Sequence, residues 1–333
     1  MREDTGPHQV AVIPGDGIGP EVIEAALAVL RATGVPLEFQ RYQAGDECLE
    51  KQGTALPPET LAGALAAEAV LFGAVGKTAA EVILRLRREL NTFVNLRPTR
   101  AFPGVDCLYP ELKLVIVREN TEGLYSGLED EITPGVVTAT RVITQAASQR
   151  IARFAFEYAL RNGFGQVTAI HKANVLQKSD GLFLRAARAV AAEYPQIEYQ
   201  EALVDSTAMN LVLRPERFQI LLTPNLFGDI LSDLAAGLVG GLGLCPSANL
   251  GDKHALFEPV HGSAPDIAGR NIANPTAAIL CGAMLLRHFG ELASAERVER
   301  ALEQAIAAGQ GTTDLGGSLS TTEMAQAVIG RMP

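Results

Sequence analysis

The chain has 333 residues, 47% of them hydrophobic, a length that suggests two domains and allows a large buried core. Its formal net charge of −10 disfavours nucleic acid as a main partner, because phosphate binding needs a basic stripe. The chain lacks an apolar run long enough to span a membrane, its first residues lack the apolar core of a signal peptide, and its four cysteines are widely separated. We therefore expect a cytoplasmic protein that binds neither nucleic acid nor membrane.

Strand-like and helix-like segments alternate along the chain. The opening stretch VAVIPGDGIGPE predicts a strand over 10–13, a tight loop, and a helix that begins at Pro20 and Glu21. Further buried strands are predicted at 69–75, 112–117, 166–170 and 218–223. Helices are predicted at 58–67, 80–90, 148–161, 181–193, 227–239, 275–288, 293–308 and 321–331. Asn274 before Pro275 predicts a helix N-cap and first turn. The alternation indicates an α/β fold.

The glycines of the opening loop leave two interpretations. A dinucleotide-binding fingerprint needs G-x-G-x-x-G after a strand, whereas Gly15, Gly17 and Gly19 give G-x-G-x-G, and Pro20 takes the place of the third glycine. The alternative is a plain glycine turn.

Residues 136–144 alternate polar and apolar side chains after a Pro134–Gly135 turn, which predicts a more exposed antiparallel arm.

Two carboxylates suggest a metal site. Asp229 and Asp233 are four residues apart on a predicted helix and therefore share a face, where like charges are unfavourable without a cation. Oxygen ligands without nearby Cys or His favour Mg²⁺ or Mn²⁺. The alternative is a solvated acidic edge.

Three arginines are candidates for binding a substrate carboxylate, and a tyrosine and a lysine are candidates for proton transfer. Arg87 and Arg97 flank a short segment, and Arg118 ends a buried strand, where ligands of α/β sheets bind. Arginine suits bidentate recognition of carboxylates. Tyr125 follows shortly, and Lys172 lies just past another strand, where a lowered pKa would make it a base. Taken singly, the arginines could be surface residues, Lys172 a loop cap and Tyr125 an interface residue.

The segment FEPVHGSAPDIAGRNIANP (257–275) reads as a long loop before a helix. Backbone N–H groups of such a segment can surround a nucleotide, and an acidic residue can accept hydrogen bonds from ribose hydroxyls. The nucleotide would then lie here, away from the opening glycines.

Together these motifs resemble the β-decarboxylating dehydrogenases, which act on isocitrate, homoisocitrate and 3-isopropylmalate. The resemblance covers nearly the whole chain and is carried by GDGIGPE, LRRELNTFVNLRP, RENTEGLY, HKANVL, NLFGDILSDLAAGLVGGLG and EPVHGSAPDIAGRNIANP. It implies a two-lobed α/β fold with a shared large sheet, not a Rossmann fold. The large domain would comprise 1–98 and 240–333 and carry the cofactor loop. The small domain would be 99–239, with an arm near 127–144 that pairs with a second subunit.

The resemblance also implies the site. A homodimer, which could pair into a tetramer, would share its active sites, so that Lys172, Asn174 and Asp205 reach the partner's site. The implied catalytic residues are Tyr125 and Lys172, the substrate-binding residues Arg87, Arg97, Arg118 and Asn174, and the ligands of Mg²⁺ or Mn²⁺ Asp205, Asp229 and Asp233. The residues implied to bind NAD are His261, Gly262, Ser263, Ala264, Asp266, Ile267 and Asn274.

The resemblance leads us to expect NAD-dependent oxidative decarboxylation of homoisocitrate to 2-oxoadipate, a step of lysine biosynthesis, with isocitrate as a side substrate. RENTEGLY resembles the tricarboxylate-using branches, and basic residues crowd 85–88, although Ile83 and Leu84 could line an apolar pocket instead. Isocitrate or 3-isopropylmalate as the main substrate is the alternative. A non-catalytic regulatory subunit is disfavoured, since the implied catalytic residues are all present. Asn91, where relatives commonly have Asp, and a short stretch after Gly76 depart from the family pattern.

Overall fold

The computed structural model describes residues 6–332. The strands are β1 His8–Gly15, β2 Leu37–Arg41, β3 Ala69–Ala74, β4 Val94–Arg100, β5 Lys113–Glu119, β6 Glu129–Thr133, β7 Val136–Ala139, β8 Gln166–His171, β9 Glu198–Leu203, β10 Ile220–Thr223, β11 Pro246–Leu250 and β12 Ala255–Pro259. The helices are α1 Gly19–Ala32, α2 Asp46–Gln52, α3 Pro58–Ala66, α4 Ala79–Glu89, α5 Gln145–Asn162, α6 Ser179–Ala191, α7 Val204–Leu213, α8 Asn225–Leu238, α9 Thr276–His288, α10 Leu292–Ala307 and α11 Thr321–Ile329.

Ten of the strands form one mixed sheet in the order β2-β1-β3-β12-β11-β4-β5-β10-β8-β9. One half is built from strands of both chain ends and the other half from the middle of the chain. The halves meet where β4 pairs antiparallel with β5. The predicted α/β architecture with a large shared sheet is therefore confirmed. The division into lobes at 98/99 and 239/240 stays a prediction, and strand β4 itself crosses the first of these boundaries.

Helices cover both faces of the sheet. On one face, α1, α5 and α9 pack on alternate strand residues that include Val10, Leu96 and Val115. On the other face, α4 contributes Val82 and Leu86 to a cluster with β1 and β3, and α8 contributes Leu231 to a cluster with β5 and β10. Since successive strand residues point to opposite faces, Arg97 of β4 and Arg118 of β5 both face the side of α4 and α8.

The predicted strands are all found, but five strands of the sheet were not predicted. These strands are β2, β4, β9, β11 and β12. Two of them, β4 (VNLRPTR) and β11 (PSANL), carry buried polar residues and a proline, so their sequences do not show the apolar pattern of a buried strand. The helices α2 and α7 were also missed.

Two predicted helix starts need correction. Helix α9 has Pro275 at its N-cap, one residue later than predicted, although Asn274 Oδ1 still accepts a hydrogen bond from the Thr276 N–H at 2.9 Å. Helix α1 has Ile18 at its N-cap, so Pro20 occupies the second helical position. Both prolines still lie where the helix leaves their missing N–H without a partner.

The predicted arm is confirmed as an antiparallel hairpin of β6 and β7, whose residues are all exposed. It exposes Ile132 and Val137, apolar side chains that a lone chain leaves in water. Among residues 6–332, no helix has the length and hydrophobicity to cross a membrane.

Candidate active site

Three arginines meet on the α4/α8 side of the sheet. Arg97 lies within β4, Arg118 near the end of β5, and Arg87 in the last turn of α4. Their residues are only 6%, 1% and 7% exposed, so none of the three is an ordinary surface arginine. Burial, and then the nearby charge of Arg97, lower the pKa of Arg118 to about 9, which still leaves it protonated at neutral pH.

A buried amide network, which the sequence did not reveal, holds two of these arginines. Glu258 Oε1 accepts hydrogen bonds from Arg87 and from the Asn249 amide, both at 2.7 Å. Asn249 Oδ1 accepts from Asn95 at 2.8 Å, and Asn95 Oδ1 accepts from Arg97 Nε at 2.6 Å. The network therefore fixes Arg87 and Arg97 relative to each other. Apart from Arg87, the residues of the network lie on β4, β11 and β12, three of the strands that were not predicted.

The two aspartates of α8 face these arginines. Asp229 pairs with Arg118, lies 3.2 Å from Arg97 NH1, and accepts a hydrogen bond from the Tyr125 hydroxyl. Asp233 lies 3.5 Å from the same Arg97 nitrogen. This arrangement excludes a plainly solvated acidic edge for Asp229.

The surroundings shift the pKa values of Asp229, Asp233 and Tyr125 in different directions. Burial acts to raise the pKa of Asp229, but Arg118 and Arg97 outweigh it and hold that pKa below its usual value. Burial, with the charge of Asp229, raises the pKa of Asp233. Burial and the hydrogen bond to Asp229 raise the pKa of Tyr125, which keeps the phenol protonated at neutral pH.

A second group lies at the end of β8, apart from this cluster. Lys172 Nζ pairs with Asp205 Oδ1 at 2.8 Å, and the Lys172 backbone N–H donates to the buried carboxylate of Asp180 at 2.6 Å. Asn174, in the same loop, is exposed. Within residues 6–332, three His, Cys, Asp or Glu side chains nowhere converge as a metal site would require. One chain thus does not bring Asp205 to Asp229 and Asp233, and their joint site across a dimer stays a prediction.

The predicted cofactor residues lie in one segment between β12 and α9. The backbone N–H of Ile18 donates to Ser263 O at 2.8 Å, and a side chain on Gly17 would collide with that same carbonyl. Gly17 also has a φ of 60°, which favours glycine. The opening glycines therefore serve a close contact between two loops, and the fingerprint interpretation is wrong.

The other members of the segment have different environments. Burial lowers the pKa of His261, and its buried Nε2 has no hydrogen-bond partner within the described residues. Asn274 Nδ2 donates to Asp314 at 3.0 Å. Asp266 and Gly262 are exposed, while Ser263, Ala264 and Ile267 are half-buried. An orphaned buried nitrogen beside exposed backbone suits a bound polar ligand.

A cavity of about 170 Å³ joins the arginines to this segment. Its lining includes the polar side chains of Arg87, Arg97, Glu258 and His261 together with the apolar side chains of Val75, Ala79 and Ile83. The cavity thus combines carboxylate-binding cations, an apolar wall and the start of the predicted cofactor segment.

The fold and this cleft are compatible with a dehydrogenase of small carboxylate-bearing hydroxy acids. The model of the isocitrate/isopropylmalate dehydrogenase family matches residues 9–328, and the chain belongs to this family. It is an NAD-dependent decarboxylating hydroxy-acid dehydrogenase that uses a divalent metal ion such as Mg²⁺ or Mn²⁺. The family resemblance seen in the sequence is therefore confirmed.

Three relatives illustrate the range of similarity. A 3-isopropylmalate dehydrogenase of Methanothermobacter thermautotrophicus is 58% identical over 95% of this chain and 96% of its own length. An isocitrate/homoisocitrate dehydrogenase of Thermus thermophilus is 50% identical over 97% of this chain and 98% of its own. The crystal structure of isocitrate dehydrogenase from Methylococcus capsulatus superposes with a TM-score of 0.95 at 46% identity, covering 98% and 99% of the two chains.

Proposed function

We propose that the enzyme oxidatively decarboxylates a 3-substituted malate with a small apolar branch, 3-isopropylmalate being the best match. The observation that carries this proposal is the apolar wall of Val75, Ala79 and Ile83 beside Arg87 and Arg97. Ala79, Ile83 and Arg87 are spaced four residues apart on α4, so they share one face of the helix. The arginines would bind the malate carboxylates while the wall contacts the branch.

Apart from Arg87, the basic residues of α4 do not line the cavity. Arg85 and Arg88 are exposed, and Arg88 Nε donates to the Leu84 carbonyl at 3.3 Å. Of the two expectations for this helix, the apolar pocket is thus the better supported. If Arg87 and Arg97 bind the malate carboxylates, a further substrate carboxylate at this wall would lack a partner, which costs about 1–3 kcal/mol even for a neutral polar group and more for a charged one.

A second candidate substrate is homoisocitrate, which would give 2-oxoadipate, with isocitrate as a side substrate. The RENTEGLY segment favours it, as does the 50% identity to a relative named for isocitrate and homoisocitrate. The test is a comparison of kcat/KM for 3-isopropylmalate, isocitrate and homoisocitrate at saturating NAD and Mg²⁺. If either tricarboxylate ranked first, the apolar-branch proposal would fail.

The donor set fits a hard divalent cation, since Asp229, Asp233 and the partner's Asp205 offer carboxylate oxygens alone. An ion held there would acidify the substrate hydroxyl and stabilise enolate charge, and bound NAD would accept the hydride from the carbon that carries the hydroxyl. The arginines orient the substrate carboxylates, with Asn174 assisting from the partner. Lys172, as the neutral amine, would take the hydroxyl proton, and Tyr125 would donate a proton to the enol carbon after CO₂ leaves. The protonated phenol beside Asp229 supports the role of Tyr125.

The proposed assembly is a homodimer that completes its sites from both chains. Its support is the exposed apolar surface of the arm together with Met209 and Val212 of α7 and Ile230 of α8. Lys172 and Asp205 pair with each other and do not join the Asp229 cluster of their own chain. This is expected if the pair serves the partner's site.

A cation on the α4 face is expected to reverse the substrate preference. Ile83→Arg should lower kcat/KM for 3-isopropylmalate by about tenfold or more, since fully burying a branched side chain contributes roughly 1.5–3 kcal/mol. The relative rate with isocitrate or homoisocitrate should rise. The matched control is Arg85→Ala, which removes an exposed cation and should leave the ranking unchanged. An unchanged ranking of the three acids in Ile83→Arg would place the branch elsewhere.

NAD is expected to exceed NADP in kcat/KM by about tenfold or more, because a 2′-phosphate would meet the like charge of Asp266. Asp266 is exposed in the cofactor segment, so it can contact a ligand without rearrangement of the core. Asp266→Asn should reduce the preference for NAD over NADP, because it removes the repulsion between the carboxylate and the 2′-phosphate. Steady-state kinetics with both cofactors measure it, and equal efficiency in the unaltered enzyme would refute the assignment of Asp266.

A further inference from the structure

A carboxylate from outside helix α4 binds the two residues that precede the helix, Lys77 and Thr78. The N-cap residue Thr78 makes no side-chain capping bond of its own. Instead, Asp46 of α2 accepts hydrogen bonds from the backbone N–H groups of Lys77 and Thr78, both at 2.9 Å, and from Thr78 Oγ at 2.7 Å. A carboxylate at this end of a helix also meets the positive end of the helix dipole.

Asp16 of the opening loop makes a similar set of bonds to α2. Asp16 Oδ2 accepts from the backbone N–H groups of Asp46 at 2.9 Å and Gly76 at 3.0 Å. The two carboxylates are therefore linked in series: Asp16 binds the start of α2, and Asp46 within that first turn binds the start of α4.

Two glycines make room for this arrangement. A side chain on Gly45 would collide with the Asp16 carboxylate, and one on Gly76 would collide with Asp46 Oδ2. The loop that carries Asp16 is also the loop whose Ile18 N–H binds Ser263 O. One loop thus contacts both the start of α4 and the cofactor segment.

We infer that Asp16 and Asp46 are positioning residues that hold α4, with Arg87 and Ile83, in register with the cofactor segment. This inference rests on the proposed function for what α4 binds. Arg87 lies nine residues beyond Thr78, about 13 Å along the helix at 1.5 Å per residue. A tilt of about 5° at the capped end would move Arg87 by roughly 1 Å, and misplacement on that scale can reduce rates by about 10²-fold.

The first test compares Asp46→Asn with Glu47→Gln. The amide nitrogen that Asp46→Asn introduces cannot accept the hydrogen bonds of the carboxylate oxygen it replaces, whereas Glu47 is an exposed neighbour that pairs with Lys51. Asp46→Asn should raise KM for the hydroxy acid and lower kcat/KM by about tenfold, with KM for NAD within about twofold of the unaltered enzyme. Glu47→Gln should leave KM for the hydroxy acid, kcat/KM and KM for NAD unchanged. A lowered melting temperature with unaltered kinetics would reduce Asp46 to a structural role and overturn the inference.

A second measurement does not depend on the substrate. Amide hydrogen exchange at the start of α4 should quicken in Asp46→Asn and stay unchanged in Glu47→Gln. Gly76→Ala, which displaces the same carboxylate without removing its charge, should give the same exchange and kinetic changes as Asp46→Asn. Unchanged exchange in both variants would overturn the inference. If the unaltered enzyme turned over none of the three acids, the proposed function would fail, and the exchange result alone would decide whether Asp46 holds α4.

Discussion

Asp229→Asn is expected to lower kcat by about 10³-fold, because a bound metal ion contributes several kcal/mol of charge stabilisation and each 1.36 kcal/mol is a factor of ten in rate. Asn keeps the shape of the side chain and an acceptor for Tyr125 but loses the ligand charge. The Mg²⁺ concentration at half-maximal rate should rise at the same time. Both effects follow from the assignment of Asp229 as a metal ligand.

The control separates the metal from the arginines. Asp229 also pairs with Arg118 and lies near Arg97, so the substitution leaves two buried cations less compensated. A rate loss that came only from the arginines would appear in KM for the acid and would not depend on Mg²⁺. Asp252→Asn makes the same type of change at an exposed position and should alter neither kcat nor the Mg²⁺ concentration at half-maximal rate. Near-native activity of Asp229→Asn at low Mg²⁺ would contradict the metal assignment.

The sequence predicted those parts of the molecule in which one short segment carries its own signal. Apolar runs identified the central strands β3, β5, β8 and β10, and the spacing of Asp229 and Asp233 placed both on one helix face. The family resemblance then supplied the architecture, which the single ten-stranded sheet confirms. The lobe boundary, the residue roles and the dimer stay predictions.

The parts that escaped prediction depend on partners distant in sequence. Asn95 and Asn249 look like loop residues, but both are buried: the Asn95 amide donates to Asn249 Oδ1, 154 positions away, and the Asn249 amide donates to Glu258. Asp46 looks like an ordinary first-turn residue of a short helix, and only the fold brings it to Lys77 and Thr78. The direction of Arg85 could not be inferred from the basic character of 85–88, because the path of α4 decides which side faces the cavity.

Mixed dimers of two inactive variants are expected to regain activity. If each site combines Tyr125 of one chain with Lys172 of the other, a heterodimer of Lys172→Ala and Tyr125→Phe contains one intact site and one site with both lesions. Purified heterodimers should therefore show about half of the wild-type activity, and an unfractionated random mixture, in which half of the dimers are mixed, about a quarter. The geometry motivates this expectation, because Lys172 pairs with Asp205 and lies outside the cluster around Asp229 in its own chain.

The measurement needs heterodimers of known composition. Coexpression of the variants with two different affinity tags and sequential purification would isolate them, and each purified homodimer serves as its own negative control. A mixed dimer of Lys172→Ala with the double variant Lys172→Ala/Tyr125→Phe is the matched control, since neither chain can supply Lys172. Its activity should stay at the level of the homodimers. If verified heterodimers of the first pair were equally inactive, each chain would have to supply both residues to its own site, which would require the loop after β8 to move towards Asp229 within one chain.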